Sequence, residues 1–200
     1  IDVLVNNAGF GVLGAVEEAS ADEVRRLYET NVFGLLNVTR GVLPFMRKAR
    51  SGHVINISSV GGFRSGAGFG AYCSTKFAVE GLSEALHAEL APLGVKVTVV
   101  EPGYFRTDFL DSNSLVESPR VIDDYAATSG EVRKLAKVNN QQHRGTPELP
   151  AVAMIRLVEA PTPPMRLALG TDTLQAIEAK LAYVKEETDA WRELSASTDF

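Results

Sequence analysis

Short apolar segments alternate with longer segments of helical periodicity along this chain of 200 residues. The short segments are rich in valine and isoleucine and end in Asn, Ser or Pro-Gly, a pattern typical of buried strands. They cover residues 2–5, 53–58, 95–103 and 165–170. In the longer segments apolar residues recur every three or four positions, which indicates helices. These predicted helices cover residues 21–48, 70–91, 148–160 and 171–194, the last with Trp191 on its apolar side.

This alternation predicts an α/β fold. Strands joined through helices of this length need right-handed crossovers, which make neighbouring strands parallel. A parallel sheet is covered on both faces, so we expect a doubly wound sheet in a three-layer α/β/α arrangement. We expect one such domain to account for residues 1–200.

Polar or turn-forming residues follow three of the predicted strands. Asn6–Asn7 follows the first strand, Ser58–Ser59 the second and Pro102–Gly103 the third. Ligands of parallel sheets bind beyond the carboxyl ends of the strands. The sequence therefore predicts a site at this edge of the sheet.

Residues 104–145 interrupt the regular alternation. Their mixture of aromatic, polar and charged residues predicts a substrate-binding loop or lid with one or two helices. Its apolar side chains suit a hydrophobic substrate, although they can equally seal the core or an interface. They are Tyr104, Phe105, Phe109, Leu110, Leu115, Val116 and Tyr125.

The opening glycines, in GFGVLG (residues 9–14), spell the G-x-G-x-x-G pattern of a dinucleotide phosphate loop. That pattern needs a helix that starts among its glycines, whereas helical periodicity starts here near Ser20–Ala21. The carboxylate about twenty residues further on, Glu29, would lie inside a helix and not at a strand end. We therefore interpret residues 9–14 as a turn and loop that does not bind phosphate.

Composition narrows the functional class. A net charge of −5 argues against a nucleic-acid partner, because phosphate binding depends on clustered Lys and Arg. The single cysteine, Cys73, excludes an internal disulfide and fits a reducing cytoplasmic location. No apolar run reaches the roughly 18 residues of a membrane span. The three histidines are scattered, so we expect neither a membrane partner nor a metal centre.

Tyr72 and Lys76 are four residues apart at the start of a predicted helix, so their side chains share one face. A nearby ammonium group favours the phenolate and would make a tyrosine usable as a proton donor and acceptor near neutral pH. The pair on its own is a weak signal and is more often a packed tyrosine beside a solvated lysine. Asn31 likewise, taken alone, fits a hydrogen-bonded core or bend residue.

Five motifs in one order change this interpretation: NNAG (6–9), NVFG (31–34), INISS (55–59), YCSTK (72–76) and PGYFRT (102–107). Together they resemble the short-chain dehydrogenase/reductase family over residues 1 to about 110, and RLALGTD resembles its last strand. The resemblance implies a Rossmann-like fold. It also implies reversible hydride transfer between NADP or NAD and an alcohol or carbonyl substrate, here a hydrophobic one.

The resemblance implies catalytic roles for four residues. Tyr72 would protonate the carbonyl oxygen during reduction or deprotonate the alcohol during oxidation. Lys76 would assist Tyr72 and bind the nicotinamide ribose. Ser59 would orient the substrate oxygen, and Asn31 would help hold a water that links Lys76 to solvent.

Six further residues would bind the cofactor. Three would line its adenosine side and three would position the nicotinamide. They are Asn6, Ala8 and Gly9 for the first group, and Pro102, Gly103 and Thr107 for the second. Gly103 also fits a plain turn, and Thr107 fits a helix cap. Helices at 21–48 and 70–91 often pair between subunits in the family, so we expect a homodimer or homotetramer.

In the family the glycine-rich turn that binds the dinucleotide precedes NNAG. We therefore expect this chain to lack the first three βα units of the fold. An alternative function is then a truncated, non-catalytic chain that acts only as an oligomerisation or interaction module. A serine hydrolase based on Ser59 is disfavoured, because ISSVG is not the G-x-S-x-G elbow and no histidine has a supporting context.

Overall fold

The computed structural model describes residues 1–103, 114–139 and 148–199. The strands are β1 (Val3–Asn6), β2 (Gly11–Leu13), β3 (Gly52–Ile57), β4 (Val95–Pro102), β5 (Leu115–Glu117) and β6 (Arg166–Leu169). The α-helices are α1 (Ala21–Tyr28), α2 (Leu35–Ala49), α3 (Gly70–Leu90), α4 (Glu131–Asn139), α5 (Glu148–Glu159), α6 (Thr171–Ala190) and α7 (Arg192–Ala196). Short 3-10 turns cover Val60–Gly62, Ala91–Leu93 and Asp123–Tyr125, and π-helical turns cover Glu29–Gly34 and Ala126–Gly130.

The central sheet confirms the predicted α/β fold. Its four strands are parallel and lie in the order β1-β3-β4-β6. All four coincide with the strands predicted from the sequence to within two residues at each end. The register sets Asn6 opposite Asn56, and Asn56 opposite Val99, so the carboxyl ends of these strands meet at one edge.

Helices cover both faces of this sheet. On one face, Met46 of α2 and Leu90 of α3 pack on Val54 and Val97, all of them buried. On the other face, Leu157 of α5 packs with Ile55 and Val100. Alternate residues of each strand therefore supply the two cores, as expected for a three-layer arrangement.

The helix predicted over 21–48 begins where expected but is not regular throughout. Ser20 caps α1 in a capping box with Glu23, in which each side chain bonds to the backbone of the other residue. A π-helical turn over Glu29–Gly34 then separates α1 from α2. Such turns insert one extra residue and rotate the side chains that follow, and they are frequent at functional sites. Apolar periodicity alone did not reveal this turn.

Residues 9–14 differ in part from the prediction. No helix starts among the glycines, as predicted, but Gly11–Leu13 form β2 where we expected a loop. β2 pairs in parallel with β5, with Gly11 opposite Leu115. Three-residue strands whose partner lies far away in the sequence leave no local periodicity to detect.

The predicted 104–145 lid is described only over residues 114–139, and its remaining positions lie outside the described residues. This part contains the expected helix, α4, together with β5, which the sequence did not predict. The terminal helix predicted over 171–194 is broken at Trp191, which ends α6. Trp191, predicted on the apolar side of this helix, is 64% exposed, so that side is not packed at this residue.

A buried ion pair attaches residues 114–139 to the loop after β2. Glu18 is 2% exposed and accepts hydrogen bonds from Arg133 Nη2 at 2.9 Å, Ala15 N at 2.7 Å and Ile122 N at 2.9 Å. The Arg133 guanidinium and these backbone N–H groups lower the pKa of Glu18 to about 2. Arg133 also donates to the Ser118 carbonyl at 3.1 Å. This pair therefore joins α4 and the residue after β5 to the loop after β2.

We expect Arg133→Met to lower the free energy of unfolding by about 3 kcal/mol, because it leaves the Glu18 carboxylate buried without its cation. The matched control is Arg120→Met, which removes an exposed pair with Glu17 whose side chains are 62% and 59% accessible. That control should change stability by less than about 1 kcal/mol. Urea denaturation of the intact protein measures both, and equal effects would contradict the assigned role of Arg133.

Candidate functional site

Side-chain amides hold the carboxyl ends of β1 and β3 together. Asn6 Nδ2 donates to Asn56 Oδ1 at 2.8 Å and to Thr39 Oγ1 at 3.0 Å. Asn56 Nδ2 donates to Ser83 Oγ at 2.9 Å. Asn6, predicted as a cofactor residue, thus uses its amide nitrogen to join β1 to β3 and α2. This network fixes the turn that follows β1.

Tyr72 and Lys76 lie one turn apart at the start of α3, on the same face as predicted. Tyr72 is 8% exposed and packs with Val12 of β2 and Leu27 of α1. The Phe69 ring meets the Tyr72 ring edge-on, with 6.4 Å between centroids. Lys76 Nζ lies 5.7 Å from the centroid of the same ring. The aromatic ring is therefore held rigidly next to an ammonium group.

Lys76 is buried, and its position is fixed by the strand beside it. Lys76 Nζ donates to the Ile57 carbonyl at 2.9 Å, at the end of β3. Within the described residues this is its one hydrogen bond, which leaves two N–H groups for a ligand. Burial lowers the pKa of Lys76 to about 8, and the Glu80 carboxylate opposes that change. Lys76 is therefore still mainly a cation at neutral pH.

Ser59 and Ser58 point to different surroundings. Ser59 Oγ accepts a hydrogen bond from Gly61 N at 3.1 Å and is partly accessible. A Cβ placed on Gly61 would lie 3.5 Å from Ser59 Oγ and 3.5 Å from Tyr72 Cε1. Ser58 is 3% exposed and faces Gly62 instead. The structure thus brings Ser59, and not Ser58, next to Tyr72.

Asn31 lies in the π-helical turn and is 2% exposed. Its Oδ1 accepts from Phe10 N at 3.1 Å, and its Nδ2 donates to the Phe10 carbonyl at 2.9 Å and to Thr75 Oγ1 at 3.0 Å. Both amide hydrogens are therefore used to join the turn after β1 to α3. One lone pair of Oδ1 remains for a further hydrogen bond.

The two glycines at predicted cofactor positions have different surroundings. A Cβ on Gly9 would lie 3.2 Å from Asn31 Oδ1 and 3.6 Å from Lys76 Nζ. Gly103 N donates to the Leu169 carbonyl at 3.0 Å, and a Cβ there would overlap the Asp172 carboxylate. Ala8 precedes Gly9 in the same turn, and Pro102 is the last residue of β4. Thr107 lies outside the described residues.

Sequence reasoning missed three charged residues that lie beside this site. Glu80 of α3 and Glu101 of β4 are 5% and 1% exposed, and Arg166 of β6 contacts both. The available signal was a glutamate in each of two strongly apolar segments, FAVEGL and VVEPG. Charged residues at such positions are almost never fully buried unless they are paired.

Residues 1–103, 114–139 and 148–199 contain no group of three or more side chains arranged to bind a metal ion. None of their helices combines the length and apolar character needed to cross a bilayer.

Known proteins resemble this chain in sequence and structure. A family model described as short chain dehydrogenase matches residues 1–117. The curated 3-ketodihydrosphingosine reductase of Bacteroides thetaiotaomicron is 42% identical over 171 residues, which cover 85% of this chain and 63% of that protein. This chain thus spans less than two thirds of that relative.

Solved structures extend the similarity to the whole fold. A short-chain dehydrogenase from Streptomyces avermitilis has a TM-score of 0.91 and 44% identity, with 100% of this chain and 72% of that chain covered. A gluconate 5-dehydrogenase from Burkholderia cenocepacia J2315, in complex with NADP and tartrate, has a TM-score of 0.55 and 32% identity. That alignment covers 56% of this chain and 44% of the other.

The family model covers more than half of the chain, and the motifs that it spans include NNAG, INISS and YCSTK. The fold, with its parallel sheet and flanking helices, agrees with this match. The chain therefore belongs to the short-chain dehydrogenase/reductase family.

Proposed function

We propose that this chain carries the catalytic site of an NAD(P)-dependent oxidoreductase that transfers hydride between a nicotinamide cofactor and an alcohol or ketone. One observation carries the proposal: a buried tyrosine lies between a buried lysine and a partly accessible serine at the carboxyl ends of parallel strands. Lys76 Nζ lies 5.7 Å from the centroid of the Tyr72 ring. On the other side, Ser59 Oγ and Tyr72 Cε1 are each 3.5 Å from the position that a Cβ on Gly61 would take.

The residues present fit a nicotinamide dinucleotide. Gly9 leaves a space beside Lys76 and Asn31 that a Cβ would fill. Lys76 has two N–H groups available for ribose hydroxyls. Asn6, Ala8 and Gly9 are proposed to line the adenosine side, and Pro102, Gly103 and Thr107 the nicotinamide side. When bound, the cofactor supplies or accepts the hydride.

The protein's own groups handle the proton. Tyr72 donates a proton to the substrate oxygen during reduction and removes it during oxidation. Lys76, held cationic beside the ring, favours the phenolate form that appears after donation. Ser59 donates a hydrogen bond to the same oxygen and fixes its position, and Asn31 contributes its remaining lone pair to a water next to Lys76.

The substrate is proposed to be an apolar alcohol or ketone. Val12 of β2 and Leu27 of α1 are buried and pack with Tyr72, which makes the surroundings of this residue apolar. A similar protein is named 3-ketodihydrosphingosine reductase, a name that also specifies a ketone. Residues 104–145 are proposed to close over this substrate within a single domain, residues 1–200.

Self-association and a reducing location complete the proposal. Val38 and Phe45 of α2 and Phe77 of α3 are 50%, 63% and 45% exposed, which supports a homodimer or homotetramer formed through these helices. Cys73 is the one cysteine of the sequence and is buried, which is consistent with a reducing compartment such as the cytoplasm.

Cofactor binding separates this proposal from the non-catalytic alternative. Titration of the intact protein with NADPH or NADH, followed by cofactor fluorescence, should give saturable binding. Lys76→Met should weaken binding roughly 10-fold or more, because hydrogen bonds from a charged group contribute about 1.5–3 kcal/mol. The exposed Lys48→Met is the matched control and should bind as the unmodified protein does. A folded protein without saturable binding would favour the alternative.

Substitution of Tyr72 tests the chemistry. Tyr72→Phe should reduce kcat for reduction of an apolar ketone by about 10²–10⁴-fold, the usual contribution of a positioned general acid, and leave cofactor affinity nearly unchanged. Tyr28→Phe is the control. The Tyr28 hydroxyl, on α1, bonds to Ser74 Oγ at 3.0 Å, and Ser74 lies on α3, the helix that carries Tyr72. Turnover retained by Tyr72→Phe would refute the assigned role.

A further inference from the structure

Two buried carboxyl groups share one arginine behind the catalytic helix. Arg166 Nε lies 3.2 Å from Glu80 Oε2 and 3.2 Å from Glu101 Oε1. It carries a single hydrogen, which it donates to Glu80. The other nitrogen with a contact, Nη2, bonds to the more exposed Glu84 at 2.5 Å. Glu101 is therefore paired with a cation and receives no hydrogen bond from it.

The oxygens of this pair indicate a shared proton. Glu80 Oε1 and both oxygens of Glu101 are buried and accept no hydrogen bond from the described residues. Two adjacent buried carboxylates do not both ionise readily, and a proton between them supplies the missing donor. Burial and the neighbouring Glu80 carboxylate raise the pKa of Glu101 to about 7. A proton on Glu101 therefore supplies the missing donor, while Glu80 Oε2 accepts the Arg166 hydrogen bond.

Glu80 lies one helical turn after Lys76 on α3, on the same face. Charged or polar groups surround Glu80 on every neighbouring element. They are Lys76 and Glu84 on α3, Ser58 after β3, Glu101 on β4, Arg166 on β6 and Lys180 on α6 across a groove of about 390 Å³. Of the carboxylates, the Glu80 group is the one whose charge acts on buried Lys76.

We propose that Glu80 is a positioning residue that keeps Lys76 protonated, and that Glu101 and Arg166 hold Glu80 in place as its negative charge. The role of Glu80 in turnover rests on the function proposed above, whereas the effect of Glu80 on the charge of Lys76 does not. Burial favours neutral Lys76, and Glu80 counteracts burial across a single helical turn.

The direct test is the titration of Lys76 in the intact protein without cofactor. The 13C shift of Lys76 Cε, assigned with Lys76→Met, reports the protonation midpoint. Glu80→Gln removes the opposing charge, so the midpoint should fall by about one pH unit or more, which corresponds to a tenfold change in the proton equilibrium. Glu84→Gln is the matched control, because Glu84 also binds Arg166 but is exposed and one turn further away. It should leave the midpoint unchanged.

An unchanged Lys76 midpoint in folded Glu80→Gln would overturn the proposal. If that variant does not fold, the unmodified protein decides the question through its labelled glutamate carboxyl carbons. One carboxyl of the pair should titrate near pH 7, and this signal should be absent in Glu101→Gln. Full ionisation of both carboxyls by pH 5 would refute the shared proton.

Turnover provides a separate readout. If the proposed function also holds, the acid limb of the kcat profile for alcohol oxidation should move to higher pH in Glu80→Gln, because neutral Lys76 no longer favours the Tyr72 phenolate. A Lys76 midpoint that moves without any turnover in the unmodified protein would refute the proposed function and leave the role of Glu80 supported.

Discussion

The burial of one ammonium group, that of Lys76, constrains the geometry of the whole candidate site. An unpaired charge is costly inside a protein, so the surrounding structure must supply partners. The Ile57 carbonyl at the end of β3 provides a hydrogen bond, and Glu80 provides negative charge from the next turn of α3. Because both partners are fixed, Lys76 Nζ is held beside the Tyr72 ring instead of reaching solvent. The same arrangement keeps the ammonium close enough to Gly9 that a side chain there would crowd it.

Amide side chains hold the elements that carry this charge. Asn31 joins the turn after β1 to Thr75, whose hydroxyl donates to the Tyr72 carbonyl at 2.7 Å. Asn6 and Asn56 join β1, β3, α2 and, through Ser83, α3. Most of these groups are buried, so loss of one partner would leave another unsatisfied and costly. The position of α3 relative to the strand ends is therefore set by hydrogen bonds as well as by apolar packing.

The sequence predicted much of this from local patterns. Strand and helix positions follow from periodicity, and Tyr72, Lys76 and Ser59 come together because parallel strands end at one edge. The π-helical turn at Glu29–Gly34 was not predictable in this way, because it shifts the helix by one residue without changing its composition. The pairing of β2 with β5 and the pairing of Glu80 with Glu101 join segments far apart in the chain. The strand pairing leaves no local periodicity, and the glutamate pair leaves only a glutamate in each of two strongly apolar segments.

The ion pair of Glu18 and Arg133 connects residues 114–139 to Tyr72, the proposed acid/base residue. It fixes α4 and β5 against the loop after β2, and β2 places Val12 against Tyr72. Ser118 N donates to the Leu13 carbonyl at 2.9 Å, and Gly14 N donates to the Gly68 carbonyl at 2.8 Å just before α3. Residues 114–139 therefore reach Tyr72 through a continuous set of backbone hydrogen bonds and a single apolar contact layer. A displacement of this segment would be transmitted to the packing of the Tyr72 ring. Under the proposed function, the fit of the substrate and the orientation of the proton donor are therefore coupled.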